Sequence, residues 1–276
     1  MKKELDVASF YPSAPEVPIW RYMDFVKLIS LLEESGLYFA PISSFSDPYE
    51  GTLSTSTIKQ LSHIRPIEEI RAFDKHTRWY LAKCRASCWH QNEGESEALW
   101  RIYSARSSCV AIKSKISKIE KQLPKNFICG EVIYSDFENE VLQPLKGAYV
   151  KHFAERLLSK RKSFEYEREV RFLEMSDDLS FPPHIAPPNA IFQDLNGEWN
   201  DTLPQGDFRR EISRLKFGDK PPVAGRFLRI DTNSVIDSIM ISPYTDKWEA
   251  DVIQKCLERY NLTAPVERST LMDAPA

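Results

Sequence analysis

The segment from residue 19 to residue 40 combines a strand, a helix, a glycine and a second strand within a short span. Residues 19–23 carry apolar and aromatic side chains typical of a strand, and Asp24 after them is a favourable N-cap. The apolar residues that follow recur at helical spacing: Phe25, Leu28, Ile29 and Leu32. Gly36 ends this helix, and residues 37–40 predict the second strand. A helix placed directly between two strands restricts the chain to folds that contain both element types.

The remaining elements follow one another without regular alternation. Further strands are predicted at residues 86–90, 109–112, 129–134, 226–230 and 235–241. Helices are predicted at residues 57–80 with a break at Pro66, from Ser96 onward, at 149–158 and at 248–260. This irregular order predicts an α+β fold.

The predicted organisation is a single mixed-sheet domain with flanking helices over residues 19–262. An extended N-terminal arm, residues 1–18, precedes the domain, and a flexible tail, residues 263–276, follows it. Residues 176–225 are rich in proline and polar side chains, which predicts a loop-rich insertion or lid.

Glycine content and charge exclude several classes of protein. The chain has 9 glycines against 18 prolines and contains neither G-x-G-x-x-G nor G-x-x-x-x-G-K-[ST], so Rossmann and P-loop sites have no support. The net charge of −3 argues against a general attraction to nucleic acids, although residues 151–162 form a local basic patch.

Cysteine usage and hydropathy predict a cytoplasmic protein without a membrane partner. The five cysteines are odd in number and irregularly spaced, which favours reduced thiols over a disulfide framework. The first lysines are not followed by an apolar stretch, and no apolar run approaches the ~18 residues of a membrane span.

Residues 160–172 are the most charged candidate for a functional site. Period-two spacing from Tyr166 onward predicts a strand that places Glu167, Glu169 and Arg171 on one face. If this face borders a cleft, repulsion between the carboxylates raises one pKa while the arginine opposes the shift. The alternative is an exposed strand face whose ion pairs contribute little to stability.

The loop at residues 41–51 presents two further acids, Asp47 and Glu50. Asp47 precedes a proline, which is ordinary turn chemistry, and this favours a structural role in which its carboxylate binds backbone amides. A position of Asp47 and Glu50 beside a functional site is the alternative.

Cys84, Cys88 and His90 raise the question of a metal site. Their spacing matches no ordinary zinc motif and no second Cys/His pair follows, so no metal is expected. A hydrogen-bonded structural role is predicted for His90, and a place in the substrate- or cofactor-binding site is the alternative.

Several short motifs, taken in order, resemble the bacterial domain-of-unknown-function 2971 family. They are residues 20–24, 37–39, 47–51, 88–96, Trp100 with Tyr103, residues 160–171 and residues 241–244. The resemblance extends from about residue 19 to residue 262. The family name implies kinship and no activity.

The strand–helix–glycine–strand segment is also similar to the beginning of ADP-ribosyltransferase-like toxins, which consume NAD. This resemblance implies that Arg21 or Tyr22 binds a ribose and that Tyr38 or Tyr103 packs on the nicotinamide. It further implies that Glu167 or Glu169 is the catalytic carboxylate. Arg161 or Arg171 is then expected to hold the pyrophosphate. A carboxylate in this position stabilises the oxocarbenium charge that develops when the glycosidic bond breaks.

Three functions therefore remain open from the sequence. The first is an ADP-ribosyltransferase-like enzyme that acts on NAD and a protein or nucleic-acid target, as toxins and anti-phage effectors do. The second is a non-catalytic nucleotide or nucleic-acid binding module, in which Trp89, Trp100, Tyr103 and residues 160–162 form a stacking and phosphate-binding surface. The third is a metal-dependent nuclease that uses Asp47, Glu50, Glu167 and Glu169.

Overall fold

A computed structural model describes residues 12, 14–63, 66–104, 108–124, 127–142, 149–175 and 223–274. The strands are β1 (Pro18–Asp24), β2 (Gly36–Pro41), β3 (Arg85–Gln91), β4 (Cys109–Lys115), β5 (Phe127–Glu131), β6 (Ile133–Ser135), β7 (Ser159–Arg161), β8 (Glu169–Glu174), β9 (Arg226–Arg229), β10 (Ser238–Ile241) and β11 (Val266–Arg268). The helices are α1 (Phe25–Glu33), α2 (Thr55–Ser62), α3 (Ile67–Leu81), α4 (Glu97–Ser104), α5 (Ile116–Glu120), α6 (Tyr149–Leu157), α7 (Thr232–Val235) and α8 (Lys247–Leu257).

One mostly antiparallel sheet organises these elements and confirms the predicted α+β class. Its main path runs β11-β10-β4-β1-β3-β2-β9, and β8 joins it by pairing with β3 on one side and β5 on the other. The pair β10–β11 is parallel, and β6 and β7 form a separate parallel pair.

Strand β3 is the point at which the sheet divides. One edge of β3 pairs with β8 along its whole length, from Arg85 to His90. The other edge is shared, because β2 pairs with its first residues and β1 with its last. Residues 87–89 between these two contacts have no pairing partner on this edge among the described strands. The two halves of the sheet therefore separate beside the middle of β3.

Apolar side chains cover both faces of the sheet. On one face, Ile19, Trp89 and Phe172 pack with α1 in the largest hydrophobic cluster. On the other face, Trp20 packs with Trp100 of α4 in a smaller cluster. Burial on both faces explains why several strands carry nearly continuous apolar runs.

Most predicted elements are present, with shifted boundaries. The run predicted as one strand at 129–134 forms two, β5 and β6. The strand predicted from residue 235 begins at Ser238, because the preceding residues form α7, which Asp231 caps.

The prediction of a strand from Tyr166 onward is wrong. Lys162–Glu167 form a 3₁₀ helix, and Arg168 follows in the left-handed conformation with φ of 39°. A left-handed residue cannot continue a pleated strand, so β8 begins only at Glu169. Glu169 and Arg171 do share a strand face, whereas Glu167 lies before the strand.

The ends of the chain and the predicted insertion are only partly described. Residues 176–222 of the insertion and most of the arm at residues 1–18 lie outside the described residues. In the tail at 263–276, for which the sequence predicts flexibility, β11 pairs in parallel with β10. No helix within the described ranges combines the length and apolar character that crossing a membrane requires.

The predicted N-cap of α1 is confirmed and leads to a stability prediction. Asp24 Oδ1 accepts a hydrogen bond from the backbone amide of Lys27 at 2.8 Å. Replacing Asp24 with alanine leaves this amide unpaired and is expected to lower the free energy of unfolding by about 1 kcal/mol in urea titrations. The matched variant Asp24→Asn keeps an acceptor and should lose much less. Equal losses of unfolding free energy in both variants would show that the hydrogen bond from the Lys27 amide to the cap side chain does not stabilise the protein.

Candidate functional site

A cleft of about 680 Å³ lies where the sheet divides. This volume falls within the range of small-molecule and cofactor sites, ~300–1,000 Å³. Strands β1 to β3 contribute five predicted site residues to its wall: Arg21, Tyr22, Tyr38, Trp89 and His90. The cleft forms because β1 and β2 pair with opposite ends of β3 and leave its middle residues unpaired on that edge within the described sheet. Side chains from all three strands border this opening.

Five further candidates line the cleft from other elements. They are Tyr103 of α4, Asp47 and Glu50 of the loop after β2, Glu167 of the 3₁₀ helix and Glu169 of β8. Residues far apart in the chain therefore converge on one cleft.

Three carboxylates and two cations form a compact network at the base of the cleft. Lys160 pairs with Glu167 and lies 3.5 Å from Glu169 and 4.0 Å from Glu50. Arg171 binds both carboxylate oxygens of Glu50 at 2.9 Å and Glu169 at 2.7 Å. We refer to these five residues as the acidic network.

Arg171 lies beneath the cleft and not in it. Its side chain is 0% exposed, and Nη1 also donates to the backbone carbonyl of Leu157. A guanidinium can be buried in this way because two carboxylates neutralise it with bidentate geometry. The pyrophosphate contact predicted for Arg171 is incompatible with this position, since a ligand in the cleft cannot reach it.

The two glutamates of the predicted charged face have opposite pKa shifts. Burial opposes ionisation of Glu169, but Arg171 and Lys160 outweigh this effect and lower its pKa. Burial raises the pKa of Glu167, and Lys160 offsets the shift only in part. Such a divergence of pKa values is typical of paired carboxylates that have different roles in a site. Burial is the main cause of the raised pKa of Glu167. Repulsion from Glu169, which the sequence predicted, adds to it, and Arg171 opposes the shift.

Arg21 differs from Lys160 and Arg171 because it has no acidic partner among the described residues. Nη1 donates to Ser87 Oγ at 3.0 Å and Nη2 to the carbonyl oxygen of Tyr38 at 2.9 Å. The guanidinium also lies 5.8 Å from the ring centroid of Trp89. These neutral acceptors fix the orientation of the Arg21 guanidinium but leave its positive charge uncompensated. An anionic ligand group would therefore be attracted to it.

Tyr38 and Tyr103 offer aromatic faces at the rim of the cleft. Tyr38 is 37% exposed and packs against Phe227, and Tyr103 is 46% exposed and stacks on Tyr22. Tyr22 itself is buried, and its hydroxyl accepts a hydrogen bond from the amide of Ser96 at 2.7 Å. Tyr22 therefore supports Tyr103 from behind, and the two exposed rings are better placed to contact a ligand.

Two tryptophans predicted to form a stacking surface are buried. Trp100 is fully buried against Tyr22, and its indole nitrogen donates to Glu95. Trp89 borders the cleft but is 1% exposed. The predicted stacking surface is wrong at both positions, because helical and strand periodicity direct these rings into the core.

Arg161 and Asp47 stabilise the loop that forms one wall of the cleft. Arg161 Nη2 donates to Asp47 Oδ1 at 2.8 Å, and its guanidinium lies 4.3 Å from the ring centroid of Tyr49. Asp47 also accepts from the amide of Tyr49 at 3.0 Å, as expected for the residue before a proline in a turn. Arg161 does not border the cleft, so the pyrophosphate contact predicted for it is also incompatible with this position.

Lys160 and Cys88 are cleft residues whose positions sequence reasoning missed. Lys160 is buried among carboxylates, although the binding-module hypothesis placed it in a phosphate-binding surface with Arg161 and Lys162. Cys88 lies on the same face of β3 as His90, and burial raises the pKa of its thiol. Local residue spacing gives no signal for the position of Lys160 or Cys88 in the cleft, because both positions depend on contacts between distant segments.

Within the described ranges, no group of three His, Cys, Asp or Glu residues is positioned to hold a metal ion.

Comparison with known proteins gives one family match. Residues 99–172 match the model of a family described as Protein of unknown function (DUF2971). The matched segment covers α4 to β8 and includes Tyr103, Lys160, Glu167 and Glu169. This supports the kinship that the ordered motifs predict. No curated protein and no solved structure matches the chain.

Proposed function

We propose that the protein is an ADP-ribosyltransferase-like enzyme that binds NAD in the cleft and transfers ADP-ribose to a macromolecular target. The observation that carries this proposal is the convergence of three groups on one cleft. They are Arg21, which has no acidic partner in the described part of the chain, exposed aromatic rings and a glutamate whose pKa is raised.

The groups of the cleft match the parts of a dinucleotide. Arg21 presents a fixed guanidinium fork, which suits the negatively charged pyrophosphate. Tyr38 and Tyr103 present aromatic faces on which a nicotinamide or adenine ring can stack. A volume of about 680 Å³ is in the range of cofactor sites.

Glu167 is best placed to act on the reaction. Breaking the bond between nicotinamide and ribose sends the bonding electrons to nicotinamide and leaves positive charge on the sugar. A carboxylate in the cleft stabilises this charge before the nucleophile of the target attacks. Glu167 is less enclosed than Glu169, whose side chain is held by Arg171. Glu169 therefore serves to hold the acidic network, and Glu167 faces the substrate.

A second candidate, nucleotide binding without turnover, is favoured by one observation. Glu50, Glu167 and Glu169 each have a cationic partner within the protein. A carboxylate that keeps its partner is less able to stabilise a developing cation. Turnover therefore requires either that Lys160 moves toward the substrate or that Glu167 contacts Lys160 and the substrate at the same time.

The proposal is tested by incubating the purified protein with NAD and measuring nicotinamide release, alongside calorimetric measurement of NAD binding. Release that depends on the protein supports the enzyme. Binding without release supports the second candidate. Absence of both would contradict any role for NAD in this cleft.

Replacing Arg21 with methionine should weaken NAD binding by about 10- to 100-fold, because charge-assisted hydrogen bonds contribute about 1.5–3 kcal/mol. The matched control is Arg259→Met, since Arg259 is exposed and lies outside the cleft wall. Calorimetry on both variants measures the effect. Equal affinities in the two variants would remove Arg21 from the binding site.

A further inference from the structure

The geometry points to His90 as a specificity-determining residue: its Nε2 accepts a hydrogen bond from an N–H or O–H group of the ligand in the cleft. This inference rests on the proposed function, since it assumes that the cleft binds NAD.

The proton of the imidazole is placed by the contact that Nδ1 makes. Nδ1 lies 2.7 Å from the backbone carbonyl oxygen of Glu167. A carbonyl oxygen can only accept, so Nδ1 carries the hydrogen and donates it. In the neutral ring, Nε2 is therefore a bare acceptor.

This acceptor is buried and has no partner. The His90 side chain borders the cleft and is 6% exposed. Nε2 is shielded from solvent and makes no hydrogen bond within the described part of the chain. Buried acceptors are nearly always paired in native proteins, and one left open beside a cleft indicates a partner that arrives with the ligand.

Two features keep His90 in the acceptor form. Burial lowers the pKa of His90 and, together with the charge of Arg168, outweighs the hydrogen bond to the Glu167 carbonyl, which raises it, so the neutral ring is favoured near neutral pH. The hydrogen bond from Nδ1 to that carbonyl fixes the tautomer, and the ring of Tyr22 lies edge-on to the imidazole at a centroid distance of 6.2 Å.

The same contact connects the acceptor with the proposed catalytic carboxylate. His90 holds the backbone of Glu167, and Lys160 holds its side chain. A ligand donor on Nε2 would therefore be positioned relative to Glu167 by a single rigid ring. The ligand class that this selects carries an amide, ring N–H or hydroxyl donor, and NAD has such groups in its carboxamide and riboses. A ligand without a donor leaves the acceptor unpaired and is discriminated against.

Nitrogen NMR of histidine-labelled protein tests the inference directly. Without ligand, Nδ1 should be protonated, and Nε2 should show the resonance of a bare nitrogen without a hydrogen bond. On saturation with NAD, the Nε2 resonance should move upfield as it accepts a hydrogen bond. A protonated or already bonded Nε2 in the free protein, or an unchanged Nε2 resonance in NAD-bound protein, overturns the inference.

Two variants separate the acceptor from the contact with Glu167. His90→Asn keeps a donor near the position of Nδ1 and removes Nε2, and NAD affinity should fall about tenfold. His90→Gln places a polar atom near Nε2 and should stay within about threefold of the unaltered protein. A larger loss of NAD affinity in His90→Gln than in His90→Asn would mean that His90 acts only by holding the backbone of Glu167. If the unaltered protein does not bind NAD, the proposed function fails and this inference fails with it. If the protein binds NAD and His90→Asn binds it equally well, only the inference fails.

Discussion

Replacing Arg171 with methionine is expected to lower the free energy of unfolding by about 3–5 kcal/mol. The guanidinium is fully buried and forms ion pairs with Glu50 and Glu169. Its removal leaves two carboxylates enclosed at the base of the cleft with only Lys160 to compensate them. Breaking a buried ion pair from one side is costly because the remaining charge is desolvated without a partner.

Urea unfolding of the Arg171 variant measures this effect, with Arg226→Met as the control. Arg226 also pairs with a glutamate, Glu174, but its side chain is 47% exposed. Because Arg226 is largely exposed and Glu174 keeps Arg85 as a second partner, the control should lose only about 0–1 kcal/mol. Adding Glu50→Gln and Glu169→Gln to the Arg171 variant should restore part of the loss, because neutral amides need no counter-charge. If Arg171→Met is no less stable than Arg226→Met, the acidic network does not hold this region together.

Replacing Glu167 with glutamine is expected to reduce nicotinamide release from NAD by about 100- to 1,000-fold, the usual effect of removing one group that stabilises transition-state charge. The amide keeps the size of the side chain but cannot compensate a cationic sugar. Stability should change little, since neutralisation removes a carboxylate that burial already disfavours. Chromatographic measurement of nicotinamide provides the rate.

Glu165 supplies the matched control for this variant. It lies on the same 3₁₀ helix and is exposed, so Glu165→Gln should keep full activity. The pH dependence gives a second readout. Because burial raises the pKa of Glu167, the acid limb of the rate profile should lie above the ordinary glutamate value of about 4.3, and activity should rise as the carboxylate ionises. Full activity in Glu167→Gln would exclude it as the catalytic carboxylate.

The fold class, and many of the residues that line the cleft, could be predicted from the sequence. The N-cap at Asp24 and the elements that follow it have local signals, because capping and periodicity are properties of neighbouring residues. The charged run at residues 160–172 contains four of the five residues of the acidic network, since a buried network needs both signs of charge.

Other features could not be predicted because they depend on distant contacts. The left-handed conformation of Arg168 has no glycine to signal it, so the predicted strand began too early. Lys160 is buried only because Glu50, Glu167 and Glu169 surround it. The separation of β1 from β2 beside Cys88 is a property of the whole sheet, and no local pattern reveals it.

A crystal structure of the Glu167→Gln variant with NAD tests the central claim most directly, because the variant should bind NAD without consuming it. The account predicts one dinucleotide in the cleft, with its pyrophosphate ~3 Å from Arg21 and an aromatic ring against Tyr38 or Tyr103. It also predicts that a donor of the ligand reaches Nε2 of His90. NAD bound elsewhere, or an empty cleft under saturating NAD, would contradict the assignment of this cleft.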